Sequence, residues 1–380
     1  TVGCWGKLQR DESGRLLGWL PLVDHCTDVA VVFRTLVGVG RIRAALDAAC
    51  GFHVSDAQCD RLAVMALLHD IGKCNSGFQS RKIFGVKGSG HIRELAPLLF
   101  DADLFTDFAS ALQRDRLAPW FSAEDGLAAM LYASVSHHGQ PVWFDDTTTH
   151  LFRHVWQPHG DLNPIAELAK LIGRAQEAFP AAFGVAPSLP TPPALQHRFA
   201  GLVMLADWIG SDANRYFPYV HGAGSRADFA RGAAARALTE IGMDPEPARD
   251  AVCRQAGFSE LFGFAPSALQ EELRELRGES VVVVESETGS GKTEAALSYF
   301  HQLFQDGAVD SLYFALPTRV AARELYGRVL RFAQRAFPGD TPPVLLAVPG
   351  YARVDDEAPL VSSAALWNDD AGAHVRDRSW

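Results

Sequence analysis

Three segments of this chain carry apolar residues at three- and four-residue spacing, and each closes on imidazole or carboxylate side chains. They are "RLAVMALLHDIGK", "DGLAAMLYASVSHHG" and "HRFAGLVMLADWIGSD". The spacing predicts amphipathic helices, each ending near a glycine. His69 and Asp70 follow Met65 and Ala66 by one turn, His137 and His138 follow Leu131 and Ser134, and Asp207 follows Val203 and Met204. These positions lie on the core side of their helices, where an unpaired imidazole or carboxylate is costly. The constraint on the fold is therefore strong: the helices must bring these groups together around something that satisfies all of them. A buried metal does so. His25 in "PLVDHCTDVA" and His91 in "GSGHIRELAPLL" stand at further helix starts and extend the set. His53 and His150 compete with the last two for a place in it.

Residues 1 to about 215 read as helical, with almost no strand signal. The alanine-, glycine- and arginine-rich "VHGAGSRADFARGAAARALTEIGMDPEPARD" reads as a surface helix and connector, and "APSLPTPPA" as a loop. Near residue 245 the texture changes. In "SVVVVESETGSGKTEAALSYF" a β-branched run is followed by glycines and then an amphipathic helix, and "SLYFALPTRVAARELYGRVLRFAQ" repeats the order. Such alternation predicts α/β architecture with a parallel sheet. The expected organisation is an all-α unit over 1–245 and an α/β unit over 246–380, in keeping with the two or three domains that 380 residues allow.

No window holds the apolar run of roughly 18 residues that a membrane span needs, and the first ten residues lack a signal-peptide core. A cytoplasmic protein without a membrane partner is expected. The six cysteines form no CxxC pair, which fits free thiols in a reducing compartment. A net charge of −10 argues against a general nucleic-acid coat, but it does not exclude one basic groove. Lys73, Arg81, Lys82, Lys87 and Arg93 cluster around the His69-Asp70 segment with only Asp70 and Glu94 against them, a patch suited to phosphates or to a solvated face.

"ESETGSGKTEAAL" follows the expected strand Val281–Val284 and opens a helix, the context of a phosphate-binding loop. Backbone amides from Thr288 through Gly289, Ser290 and Gly291 to Lys292 are expected to wrap the phosphates. Lys292 would reach the β and γ oxygens, and Thr293 would hold Mg²⁺. The strict pattern opens on glycine, where this chain has Ser286.

The order His, His-Asp, His, His-His, Asp resembles the HD superfamily of metal-dependent phosphohydrolases. With "HDIGK" leading to "FQ", and with "SHHG", it is similar to the HD nuclease domain of the signature helicase-nucleases of type I CRISPR interference. The resemblance spans about residues 1–215. It implies two divalent ions, one held by His25, His69, Asp70 and Asp207, the other by Asp70 as bridge with His91, His137 and His138. Two such ions activate water and neutralise both oxygens of an in-line phosphodiester displacement. Mixed imidazole and carboxylate ligands suit Mn, Fe, Co, Ni or Zn. Asp70 and Lys73 are the expected catalytic pair, with Lys73 steadying the scissile phosphate. Ser211 is given no role.

The second unit resembles superfamily 2 helicases. "GFAPSALQ" is similar to the adenine-reading Q motif, with Gln270 as contact, and "ALPTRVAARELY" to a motif whose Thr318 and Arg319 meet the DNA backbone. No DExH-type motif follows. "RVDDEAPL" reads as an acidic loop, so the α/β part is expected to be an incomplete RecA-like domain of a longer protein that uses ATP and Mg. The expected function is metal-dependent cutting of single-stranded DNA, coupled in the whole protein to ATP-driven unwinding. An RNA-guided surveillance complex, of type I-E by this resemblance, would recruit it. Two alternatives stand beside it: an HD phosphohydrolase of nucleotides, and a docking module for the surveillance complex or for a phage inhibitor.

Overall fold

The computed structural model describes residues 3–354 apart from 12, 84–87, 140–141, 145–148, 221–223, 253, 255, 277–278, 280, 340 and 349–350. The chain separates into two compact units, Thr1–Ile241 and Gly242–Trp380.

The first unit is a helical bundle built around one helix. A hairpin of β1 (Trp5–Arg10) and β2 (Leu16–Pro21) runs directly into α1 (Leu22–Leu36). Nearly every side chain of α1 from Cys26 to Phe33 is buried. A helix that is buried all round must be surrounded. Here α2 (Asp56–Leu67), α4 (Pro164–Ala178), α5 (Pro193–Gly210) and α6 (Arg226–Glu240) pack on it, and α3 (Gly126–Val135) packs on α2 and α5. Local signals set where these helices start. Ser55 and Gln58 form a capping box at α2, Asn163 and Ser225 cap α4 and α6 through their side chains, and prolines open α4 and α5.

Two expectations are corrected. The hairpin supplies strands where none was expected; the short "WGKLQR" and "LLGWLP" runs are set in register by the intervening turn, with Gly14 at φ 82°. The alanine-rich segment 226–240 is core rather than surface connector: Ala227, Ala230, Ala233, Ala234 and Ala237 are buried against α1. Alanine's small side chain lets two helix backbones approach closely, so low bulk there signals tight packing and not exposure.

The proline-rich segment is a loop up to Pro192, after which α5 begins, and a buried arginine holds its start. The Arg61 guanidinium donates to the carbonyls of Ala182 (3.1 Å), Gly184 (3.1 Å), Ala186 (3.2 Å) and Pro187 (2.9 Å). Arg61→Met leaves these acceptors without their donor and is expected to cost about 3 kcal/mol. Thermal unfolding of the first unit should drop by roughly 6–12 °C; a change below a degree would show that solvent replaces the guanidinium.

The second unit packs α8 (Lys292–Gln305) and α9 (Arg319–Ala336) with the turn of helix Phe258–Phe262 over a core of Val252, Leu261, Leu297, Phe304 and Phe332. Helix α7 (Ala268–Glu275) lies against α8. The expected parallel sheet is not formed among the described residues. Val281–Val284 and the "SLYFALP" segment are assigned to no strand, and the unit's one described ladder pairs β3 (Leu345–Val348) with β4 (Tyr351–Val354), antiparallel. A β-branched run reads as a strand from sequence, but a strand exists only where a neighbour completes its hydrogen bonds. The Val run keeps strand-like alternation, with Val281 and Val283 outward. The acidic segment Asp355 to Ala358 lies outside the described residues. No helix among the described residues is long and apolar enough to cross a membrane.

Candidate metal centre

The end of α2 sets the centre. After Leu67 the chain turns and enters a single 3-10 turn, Ile71–Cys74, which leaves His69 and Asp70 projecting from a tight bend. Gly72 is required there, because a side chain at this position would fall 1.6 Å from the carbonyl oxygen of His91. That close approach brings the His91 loop onto the bend. Asn75 secures it, its amide donating to the carbonyls of Gly72 (2.7 Å) and Gly90 (2.9 Å). On the other side, Ser134 of α3 donates to the Met65 carbonyl at 2.7 Å, which aligns His137 with His69, their rings 4.8 Å apart.

The predicted residues converge. His25 Nε2 lies 3.3 Å from Asp70 Oδ2 and 3.3 Å from Asp207 Oδ1, and His69 Nε2 lies 3.3 Å and 3.8 Å from the same two oxygens. Asp70 Oδ1 faces His91 Nε2 at 3.6 Å and His137 Nε2 at 3.9 Å. His138 joins through its Nε2, 3.0 Å from that of His91. Asp70 thus turns one oxygen to each half of the cluster. The competitors stand apart: His53 pairs with Asp47 at the surface, and His150 is exposed.

The donor set fits metal ions. His69 Nδ1 donates to the Ala66 carbonyl and His137 Nδ1 to that of Ser134, which fixes both tautomers with the Nε2 lone pairs turned inward. Burial pushes the His137 imidazole down to about 3 and holds His91 well below its ordinary range, so both are neutral ligands at neutral pH. Against burial, which would raise it, the neighbouring Lys73 ammonium and His69 hold the Asp70 carboxyl well below the usual carboxylate range. Asp207 is held low in the same way by Lys7 and His25. Yet His25 Nε2, His69 Nε2, Asp70 Oδ1 and His137 Nε2 are buried with no hydrogen-bond partner. Buried polar atoms left this way are expensive unless something binds them. His25, His69 and Asp207, and again His69, Asp70 and His137, are close enough in space to hold an ion each.

Lys73 is no surface lysine. Only 6% exposed, it meets Asp70 Oδ2 at 2.8 Å and the Gly6 carbonyl at 3.3 Å. Several residues of the site were missed from sequence. Ser211, one turn after Asp207 and given no role, donates to Asp207 Oδ1 at 2.9 Å. Gln79 links the Trp5 amide and carbonyl to the Lys73 carbonyl. Lys7, on the unforeseen hairpin, carried no signal at all. Of the basic patch, Lys87 lies outside the described residues, the Arg81 guanidinium lies over the Phe78 ring, and Arg10 donates to the Arg81 and Lys82 carbonyls.

In the second unit Gly289 (φ 84°) and Gly291 (φ 85°) give the loop its left-handed turns, as a phosphate cradle requires. Lys292 Nζ donates to the carbonyls of Ser286 (2.8 Å) and Glu287 (2.7 Å). Gln270 uses its amide to donate to the Gly291 carbonyl (3.1 Å) and its oxygen to accept from the Ser267 amide (2.8 Å). Thr318 caps α9 by accepting from the Ala321 amide, and Arg319 is exposed beside it.

Comparison with known proteins gives a family for the region that holds the cluster. Residues 5–216 match the family model described as Cas3, HD domain. The CRISPR-associated endonuclease/helicase Cas3 of Thermus thermophilus is 31% identical over 342 residues, 84% of this chain and 35% of the relative. A crystal structure of T. fusca Cas3 with ATP shares the fold over 92% of this chain and 39% of that one, at 21% identity and a TM-score of 0.62. A CRISPR RNA-guided surveillance complex in a pre-nicking state contains a chain with the same fold over 88% of this one, at 21% identity and a TM-score of 0.55. The chain spans about a third of the length of the curated relatives it matches. With more than half its residues inside that model and the candidate ligand cluster assembled within them, the chain belongs to the Cas3 HD-domain family, and beyond the HD bundle it keeps the fold of T. fusca Cas3.

Proposed function

We propose that residues 1–245, the first unit and the connector after it, form a metal-dependent nuclease acting on single-stranded DNA. Residues 246–380 are then the start of the motor. The carrying observation is the set of buried, unpartnered ligand atoms on His25, His69, Asp70 and His137 facing one another. His25, His69, Asp70 and Asp207 would hold one divalent ion, and Asp70, His91, His137 and His138 the other. The ions are drawn from Mn, Fe, Co, Ni and Zn. When bound they supply Lewis-acid polarisation of a phosphodiester and a nucleophile from water at neutral pH. The chain's own residues do the rest. Asp70 spans both halves, Nδ1–H bonds to backbone hold His69 and His137 in their ligand orientation, and the Lys73 ammonium orients the scissile phosphate.

In the longer protein, Gln270, Thr288, Gly289, Ser290, Gly291, Lys292 and Thr293 bind ATP with Mg, and Thr318 and Arg319 touch the DNA backbone. The nucleotide must first release Lys292 from the Ser286 and Glu287 carbonyls. The likeness to a chain in a surveillance complex supports recruitment by an RNA-guided complex in the cytoplasm.

The test is a time course on circular single-stranded DNA with protein stripped of metal and then resupplied with Mn, Co, Ni or Mg. Cutting should be absent after stripping and return with a transition metal. Intact DNA beside hydrolysed nucleotides would replace this reading by a nucleotide phosphohydrolase. Neither activity, with binding to a surveillance complex or phage inhibitor retained, would leave a docking module.

A further inference from the structure

The candidate metal centre opens along one edge. Of its ligands, His25, His69, Asp70, His91 and His137 are buried, and only His138 and Asp207 reach the surface. The segments that carry these two meet there. A Cβ on Gly139, directly after His138, would lie 3.6 Å from Sδ of Met204, which stands one turn before Asp207 on α5. A DNA strand that reaches the centre must cross this edge, and the bases beside the reacting phosphate then lie against whatever borders it.

On the His138 side the border is aromatic. Gly139, at φ 73°, turns the chain after α3, and residues 142–144 come back against that helix. The Tyr132 hydroxyl donates to the Val142 carbonyl, and the Tyr132 and Phe144 rings meet edge to face with centroids 6.0 Å apart. Ser136 donates to the Tyr132 carbonyl at 2.8 Å. Between the two anchored residues stands Trp143, 84% exposed. A lone apolar side chain at the surface is ordinary. This indole is instead held outward by anchors on both sides, and the chain from His138 to Trp143 can span at most about 18 Å. It therefore lies within a few nucleotides of the ions' site.

The chemistry that suits such a group is a nucleobase. Every base offers a π face, whatever its identity, and stacking on an aromatic side chain is tolerant of sequence. In a duplex those faces are covered by neighbouring base pairs. The centre and Lys73 engage the phosphate, which single and double strands share, so a selection for unpaired DNA has to come from groups that meet the bases.

We propose that Trp143, held out by Tyr132 and Phe144, is a stacking platform for a base of the single strand being cut, on the His138 side of the centre. The proposal rests on the nuclease reading and deepens it by naming a residue that meets the bases.

The experiment compares the full chain with Trp143→Ala and Trp143→Phe, loaded with Mn²⁺, on fluorescein-labelled oligothymidylate and on an abasic oligomer of the same length. Wild type should bind oligothymidylate about tenfold more tightly than the abasic strand, the worth of one stacked base. Trp143→Ala should lose that preference, its Kd and KM for oligothymidylate rising about tenfold while its affinity for the abasic strand holds. Trp143→Phe should keep most of the preference. The slope of log K against log salt should be the same in all three, because no phosphate contact is removed. An equal loss on both strands would overturn the proposal, since the indole would then touch the backbone or only shape the loop. Unchanged affinity for both would overturn it as well, and if binding to a surveillance complex fell at the same time, Trp143 would belong to a protein interface. A wild type that prefers oligothymidylate but cuts none would refute the nuclease reading alone, because the comparison of the two strands is read without turnover.

Discussion

Replacing Asp70 by asparagine is expected to reduce cleavage of single-stranded DNA about a thousandfold or more, with little change in the shape of the bundle. Asparagine keeps the size of the side chain and removes its charge. Asp70 has one oxygen on the His25 and His69 side and the other on the His91 and His137 side, so its loss affects both halves of the centre at once. His69 also stands against both groups, but through a single nitrogen. Thermal unfolding supplies a readout independent of turnover. A metal present at about a hundred times its Kd stabilises the protein that binds it by roughly 2.7 kcal/mol. Addition of Mn²⁺ should therefore raise the melting temperature of the wild type and leave Asp70→Asn unmoved. A variant that still cuts at the wild-type rate would remove Asp70 from the ligand set and with it the two-ion arrangement.

The second large effect lies away from the site, in the pair that ties α6 to α1. Arg226 donates to Asp28 through two nitrogens, 2.8 Å and 2.6 Å, and to the Pro218 carbonyl at 3.0 Å. Both side chains are almost wholly buried. Breaking such a pair from one side leaves an uncompensated charge inside, so Arg226→Met is expected to destabilise the first unit by about 3–5 kcal/mol. The paired replacement Arg226→Met with Asp28→Leu should recover most of that loss, because no charge is then left behind.

The pH dependence has a defined sign. Burial pushes the Asp28 carboxyl up from 3.8 to about 7, against the downward pull of Arg226. A raised folded-state value means that the fold favours the protonated acid. This contribution is full below the ordinary carboxylate range and is lost as pH rises toward 7. Without Arg226 the acid is raised further, so the Arg226→Met deficit should be larger at about pH 8 than at about pH 5.5. Equal deficits at the two values would mean that water reaches Asp28 in the variant.

The metal ligands were legible because their cost is local. An imidazole or carboxylate at the core end of an apolar stripe is conspicuous wherever it occurs, and His69, Asp70, His137, His138 and Asp207 each carried that mark, whereas His25 and His91 stood at helix starts. The glycines and lysine of the expected phosphate loop were legible on another ground, a spacing suited to backbone approach to an anion. Helix starts were legible for the same reason, since Ser55 with Gln58 and the prolines of α4 and α5 act within one turn.

What the chain by itself determined is therefore the kind of chemistry and the kind of helix that carries it. Tertiary structure alone decided the rest, because the deciding partner is far away in sequence. Ala230 and Ala234 become core only because α1 lies across them, and Arg226 is costly or harmless according to Asp28, 198 residues distant. Val281–Val284 lacks a ladder because strand identity depends on a neighbour. Lys7 looks like any strand lysine until the hairpin folds back on His25 and buries it. Propensity and spacing are properties of a few consecutive residues; burial, charge pairing and strand pairing belong to contacts that only the folded chain creates.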